Sequence, residues 1–162
     1  MVLRKYENRD LPQIITLFQN TVRIINAKDY SEKQIDAWLS AVDFSGWDES
    51  FCVHDTWVAL SHTGDIIGFG DIDKSGYLDR LYVHHAFQRQ SVARCLCDIL
   101  EQTAFSQDKQ TVYTDSSITA VPFFKSRGYR ILQQCMVVRG GETLVRYRMQ
   151  KEMSEYEIAL RK

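Results

Sequence analysis

The sequence predicts an α+β fold, in which a mixed, mostly antiparallel sheet of six to seven strands is flanked by about four helices. Two amphipathic helical patterns come before any strong strand pattern. Three strands then follow with only short turns between them, which makes them antiparallel neighbours. The chain closes as helix, strand, helix and hairpin, which is not the strict alternation of a doubly wound parallel sheet.

Taken in order, Val2 to Tyr6 reads as a first strand. Asp10-Leu11-Pro12-Gln13 reads as a helix start, with Asp10 as the cap and Gln13 reaching back to it. Leu11, Ile14, Ile15, Phe18 and Val22 then give one apolar face. A second start lies at Ser31 with Gln34 three residues on, stapled by Tyr30 and Ile35, and Ile35, Trp38, Leu39 and Val42 form its stripe. Thr56 to Ser61, Asp65 to Asp73 and Gly76 to His84 read as strands, separated by Thr63-Gly64-Asp65 and Lys74-Ser75-Gly76. Val92 to Thr103 is a helix, Thr111 to Ser116 a strand, and Thr119 to Arg127 a short helix that Gly128 stops. Arg130 to Val138 and Glu142 to Gln150 flank Arg139-Gly140-Gly141 as a hairpin, and Lys151 to Lys162 reads as a charged, solvated, partly helical tail.

With 162 residues, the chain is read as one domain over 1–162. Twenty basic and twenty-one acidic residues give a net charge of −1, which offers no electrostatic support for a nucleic-acid or membrane-surface role. No apolar run is long enough to span a bilayer, and Met1 to Tyr6 lacks the apolar stretch of a signal peptide, so the expected compartment is the cytoplasm. The four cysteines form no Cys-x-x-Cys pair and read as buried reduced thiols. The four histidines lack ligand spacing, with His84-His85 expected at an exposed strand end, so no metal is expected. No His/Asp arrangement flanks Ser117 or a cysteine to make a nucleophile.

The stretch richest in chemistry runs from Leu81 through Tyr82, Val83, His84, His85, Ala86 and Phe87 to Gln88-Arg89-Gln90-Ser91-Val92-Ala93. A strand ends, a short loop follows and a helix begins at once. Unpaired N–H groups at a helix start, with the helix dipole behind them, form a site for phosphate. Small side chains at Ser91 and Ala93 let an anion approach, and Arg89 and Arg94 add charge at the rim.

This junction resembles that of the GNAT-type N-acetyltransferase superfamily, whose members carry Gln/Arg-x-x-Gly-x-Gly/Ala here; Gln88 and Ala93 match it. Asp115 through Phe124 followed by Gly128-Tyr129, together with Tyr30-Ser31 and Gln34 to Trp38, resemble the YafP-like branch of that superfamily. The sequence departs from the pattern at three places. Ser91 stands for the central glycine, Ser117 for an asparagine that many members have after the fifth strand, and Phe124 for the tyrosine that protonates the leaving thiolate in many.

The resemblance implies acetyl-CoA as cosubstrate and direct acetyl transfer to an amine, of a small molecule or a peptide. It implies that the backbone of Leu81 and Val83, flanking Tyr82, holds the pantetheine arm in a gap between the fourth and fifth strands. The amides from Gln88 to Arg94 would take the pyrophosphate, with Ser117 and Phe124 beside the arm. Asp79 is the expected base, on the reasoning that alternation puts it on the face of Leu81 and Val83; a structural pair with Arg80 or Arg94 is the alternative, and Asp71 and Tyr77 are the reserves. Tyr30, Trp38 and Trp57 would wall the amine pocket, with Asp29 or Asp36 attracting a cation, unless the two tryptophans are core. Ser91 and Phe124 also motivate a second reading, a non-catalytic CoA- or peptide-binding module on the same fold. The last strand offers a surface for a homodimer.

Overall fold

Among the described residues, seven strands form two antiparallel sheets. The computed structural model describes residues 1–154. One sheet holds β1 (Val2–Lys5), β2 (Asp55–Leu60), β3 (Ile66–Ile72) and β4 (Leu78–Val83) in that spatial order. The other holds β5 (Thr111–Ser117), β6 (Arg130–Arg139) and β7 (Glu142–Glu152), with β7 in the middle. Five helices accompany them: α1 (Leu11–Ile24), α2 (Glu32–Ser40), α3 (Trp47–Val53), α4 (Val92–Ser106) and α5 (Val121–Ser126). Helix α3 is the element the sequence reading lacks. Seven residues give one periodic pair, Trp47 and Phe51, and both are buried.

Helices α1 and α3 cover one face of the first sheet, where Ile14, Phe18, Trp47 and Phe51 pack around Val58 and Phe69, while α2 packs against α1 and the β6–β7 hairpin and adds Ile35 to the same core. The cap of α1 differs from the expected one. Asp10 makes no cap bond; it pairs with Arg4 at 2.7 and 2.8 Å and accepts the Glu7 N–H at 2.9 Å, while Gln13 accepts from Ile66 N–H. The α2 box forms as read: Ser31 Oγ accepts Gln34 N–H at 3.2 Å and Gln34 Oε1 accepts Ser31 N–H at 2.9 Å. The β6–β7 hairpin also forms, with Gly140 and Gly141 at φ +51° and +82°, values that favour glycine in a two-residue turn.

Helix α4 crosses the opposite face at close range, and glycine permits it. A Cβ at Gly68 would lie 2.8 Å from Val92 Cγ1, 3.1 Å from Leu96 Cδ1 and 3.2 Å from the Tyr82 carbonyl. The helix is tied to the second sheet by a buried ionic group. Glu101, fully buried, accepts from Arg127 Nη2 at 2.8 Å, Tyr129 Oη at 3.1 Å and Lys151 Nζ at 3.4 Å. Lys151 is therefore a buried residue of β7 and not the start of a solvated tail; residues 155–162 of that reading lie outside the described residues. All four cysteines are free thiols, but only Cys97 is fully buried and Cys52 is exposed. Among the described residues no helix is long and apolar enough to cross a membrane.

Gly68→Ala is expected to cost about 1–3 kcal/mol, because valine is stiff at χ1 and a backbone carbonyl closes the other side. Heat denaturation of the variant reads this as a lower melting temperature.

Candidate active site

Strands β4 and β5 run parallel but share one bridge among the described residues, between Tyr77 and Tyr113. Tyr113 N–H donates to Gly76 O at 3.1 Å and Thr114 Oγ1 to Leu78 O at 2.7 Å, and beyond this point the strands part. Pairing of β4 with β3 fixes which groups face the gap. His84 N–H donates to Ile67 O, so by antiparallel parity the backbone groups of Leu81 and Val83 point away from β3. The Val83 carbonyl is already taken, by Gln88 Nε2 at 2.7 Å and Thr21 Oγ1 at 3.0 Å. Thr21 carries no motif, so its part in the site was not legible. The gap opens into a cavity of about 1270 Å³ that reaches α4 at one end and the α1–α2 connection at the other.

At the α4 end, Gln88, Arg89, Ser91, Val92, Ala93 and Arg94 line the cavity. Gln90 does not: it is exposed and donates to Ala86 O at 3.3 Å, outside the site. Arg89 and Ser91 sit at φ +58° and +64°, the left-handed region where a glycine would be unstrained. Such a turn ahead of a helix exposes successive N–H groups and makes an anion-binding concavity. Ser91 forms no side-chain cap bond, so the first-turn amides of α4 keep no intrahelical partner. Neither Arg89 nor Arg94 has an ion pair among the described residues.

Asp79 lines the cavity, but not by strand alternation. The register passes from Asp71↔Arg80 to Ile72↔Leu78, leaving Asp79 as the extra residue of a β-bulge. The bulge turns its carboxylate to the side of Arg80, whose Nη2 lies 3.3 Å from Oδ2, and not to the face of Leu81 and Val83. Beside it, the fully buried Asp71 accepts at Oδ2 from Arg80 Nη1 at 2.8 Å and meets His54 Nδ1 at 2.6 Å, while its Oδ1 has no partner. Donor atoms of His54, Asp71 and Asp79 lie within 4.8 Å of one another, although the histidines show no ligand spacing in sequence. Arg80 is the cation these two carboxylates hold. Burial pushes Asp79 above the usual carboxylate range and Asp71 adds to this, against Arg80 and His54. His54 is raised by its hydrogen bond to Asp71. Of the two reserves, Asp71 is committed to this network and Tyr77 Oη donates to Asp115 at 3.2 Å.

Around the rest of the cavity, Tyr30 and Trp38 are present, with ring centroids 5.5 Å apart. Tyr30 is also structural, because its hydroxyl donates to Val145 O at 2.7 Å and accepts Ile118 N–H at 2.9 Å. Trp57 does not wall the pocket. It lies on the α4 side of the first sheet, packed near Leu81 and capped by Lys5 Nζ 4.6 Å from its ring. Asp29 and Asp36 are also outside the cavity lining, and Asp36 pairs with Arg23 at 3.0 Å. Ser117 lines the cavity and accepts from Ala120 N–H and from the buried Asn26, whose Nδ2 lies 3.4 Å from its hydroxyl and 3.3 Å from Thr119 Oγ1. Phe124 lines it too, and is otherwise core, 5.0 Å from Tyr129. His84 and His85 stack at 4.3 Å and are half-buried, not exposed.

Two sheets splayed at one bridge, with open helix amides at the mouth, define the acetyltransferase class, and the comparisons agree. Residues 26–151 match the acetyltransferase (GNAT) domain, and the chain belongs to that family. It is 32% identical over 132 residues to the uncharacterized N-acetyltransferase YafP of Escherichia coli strain K12, covering 82% of this chain and 83% of that protein. A GCN5-related N-acetyltransferase structure from Rhodopseudomonas palustris superposes with a TM-score of 0.89 at 31% identity, over 94% of this chain and 95% of that one. The PaiA N-acetyltransferase from Thermoplasma acidophilum, solved in complex with coenzyme A, shares the fold with a TM-score of 0.76 at 17% identity, over 94% and 98% of the two chains.

Ser91→Gly relieves a left-handed residue that costs roughly 1 kcal/mol or slightly more. The variant is expected to melt at a higher temperature; an unchanged or lower melting temperature contradicts the strain at this position.

Proposed function

We propose that the protein transfers the acetyl group of acetyl-CoA directly to an amine, with Asp79 as the general base. The observation that carries this reading is the gap between β4 and β5, with unpaired α4 amides at one end and the Asp79 carboxylate beside it. The residues present fit the cosubstrate. The left-handed turn at Arg89 and Ser91 suits a pyrophosphate, Arg89 and Arg94 are cations without carboxylate partners among the described residues, and the β4 edge offers backbone groups to an amide-bearing arm. When bound, acetyl-CoA supplies an activated carbonyl.

The chain's own groups do the rest. Leu81 and the Val83 N–H hold and orient the arm, and Gln88 keeps the Val83 carbonyl pinned so that the edge stays rigid. An ammonium must lose a proton before it can attack, and Asp79 takes it. Its raised proton affinity brings it nearer the amine's than an ordinary carboxylate would be. A backbone N–H on the β4 edge stabilises the developing oxyanion. Phe124 has no proton to give, so solvent protonates the departing thiolate. Tyr30 and Trp38 form walls against which a small-molecule or peptide amine packs. Asp71, with its one unpaired oxygen, is the negative neighbour that keeps Asp79 basic, and Arg80 prevents the pair from repelling each other out of place. The comparisons lend no support to a non-catalytic module.

Asp79→Asn is expected to lower acetylation by about 10²–10⁴-fold while leaving calorimetric CoA affinity unchanged. In the wild type, activity should fall as pH drops through the Asp79 pKa, with the acid limb of kcat/KM above the usual carboxylate range. Free-thiol release across pH measures both, and unchanged turnover in the variant would dismiss Asp79 as the base.

A further inference from the structure

The acceptor end of the cavity carries more positive charge than it can pair. Asp115 of β5 is 6% exposed, and two guanidinium groups of β7 converge on it. Arg148 takes it with the Nε–Nη2 edge, at 2.5 and 3.0 Å, and Tyr77, just before β4, donates to it at 3.2 Å. Burial alone would raise the Asp115 carboxyl, but the hydrogen bond from Arg148 and the charges of Arg146 and Arg148 hold it below the usual range, so it stays a single negative charge. Arg146, which lines the cavity, is left with one long contact of 3.4 Å from Nη2 to Oδ2. Its Nε is buried and has no hydrogen-bond partner. Asp115 is the one carboxylate that either arginine meets among the described residues. Lys28 and Arg139 line the same end, and neither forms an ion pair among the described residues. Of the other acids lining the cavity, Asp79 lies 3.3 Å from Arg80, and Asp43 is held by the Ser45 N–H and hydroxyl.

We propose that the acceptor is an amine that also carries a carboxylate, and that Arg146 is the residue that reads it. The Nε–Nη2 edge of arginine matches a carboxylate with two parallel N–H···O bonds. Arg148, two residues along the same strand, shows that mode on Asp115. In Arg146 the same edge is unfilled at Nε and loosely held at Nη2, so the side chain can pivot toward a ligand. A ligand carboxylate supplies the acceptor that the buried Nε lacks and the second negative charge that two guanidinium groups require. Asp79 on β4 and Arg146 on β7 both line the cavity, and Arg146 is tied through Asp115 to Tyr77, the residue that precedes β4. The amine of such an acceptor meets the base on β4 while its carboxylate is fixed on β7. The amine half rests on the acetyl-transfer reading; the carboxylate half stands on Arg146.

The test reads binding and needs no turnover. The CoA-loaded protein is titrated calorimetrically with N-acetylglycine, N-acetyl-β-alanine and N-acetyl-γ-aminobutyrate, each against its primary amide. At one chain length at least, the acid should bind about tenfold or more tightly than its amide, the scale of a charged hydrogen-bonded pair. Arg146→Gln should abolish that preference with CoA affinity unchanged. Arg146→Lys, which keeps the charge of the Asp115 cluster but loses the planar fork, should weaken it, and guards against a folding defect. Acids and amides binding alike, neither binding at all, or a preference that survives Arg146→Gln would each overturn the proposal. Acids that bind while no amine is acetylated would uphold Arg146 and instead count against the acetyl-transfer reading.

Discussion

Beyond the bridge between Tyr77 and Tyr113, β5 turns away from β4, and backbone groups that a continuous sheet would pair are left facing a cleft. Unpaired backbone polar groups are costly when buried, so such an edge persists only where water or a ligand reaches it. The parting is held from both sides. Thr114 Oγ1 fastens the strands at Leu78 O, and the Glu101 group anchors α4 to β7 on the far side of the cavity. At the same place a bulge removes Asp79 from the ladder and swings it toward Arg80. Strand β4 therefore presents an open edge toward β5 and, from the bulge in its pairing with β3, an acid beside it.

The anion end is set by packing. Gly68 lets α4 sit against β3 so closely that Val92, its first residue, touches the sheet. That seat fixes where the helix amides point. The strained backbone at Arg89 and Ser91 then delivers the chain into the helix without a side-chain cap. Strain of this kind is retained where the surroundings over-determine it, and here the surroundings are the β4 edge and the Gln88 bond to Val83. A glycine would do the turn at lower cost, and the serine adds nothing that the structure uses as a cap.

Much of this was legible in the sequence, because local rules decide it. Ser31 and Gln34 form their box, Gly140 and Gly141 make the hairpin turn, and the α+β class and the strand-loop-helix junction stand as read, with α3 added to the order of elements. Apart from α3, too short to show its period, the failures are non-local. Alternation put Asp79 on the wrong side because a bulge leaves no mark in a six-residue strand. Trp57 was placed in the pocket because periodicity says which residues share a face, not which layer covers it. Thr21, Asn26 and His54 reach the site from 62, 91 and 17 positions away in the chain, on ordinary side chains that no motif singles out. Lys151 looked like the start of a tail because its counter-charge, Glu101, is 50 residues distant.

The central claim is that the cleft and the α4 amides form an acetyl-CoA site in spite of Ser91. Heat denaturation with acetyl-CoA, set beside ATP and NAD, tests it most directly, because a ligand bound only by the folded state must raise the melting temperature. The account predicts a clear rise with acetyl-CoA alone, corresponding to about 2.7 kcal/mol at a hundredfold excess over Kd. No shift at millimolar acetyl-CoA, or an equal shift with all three ligands, would contradict it.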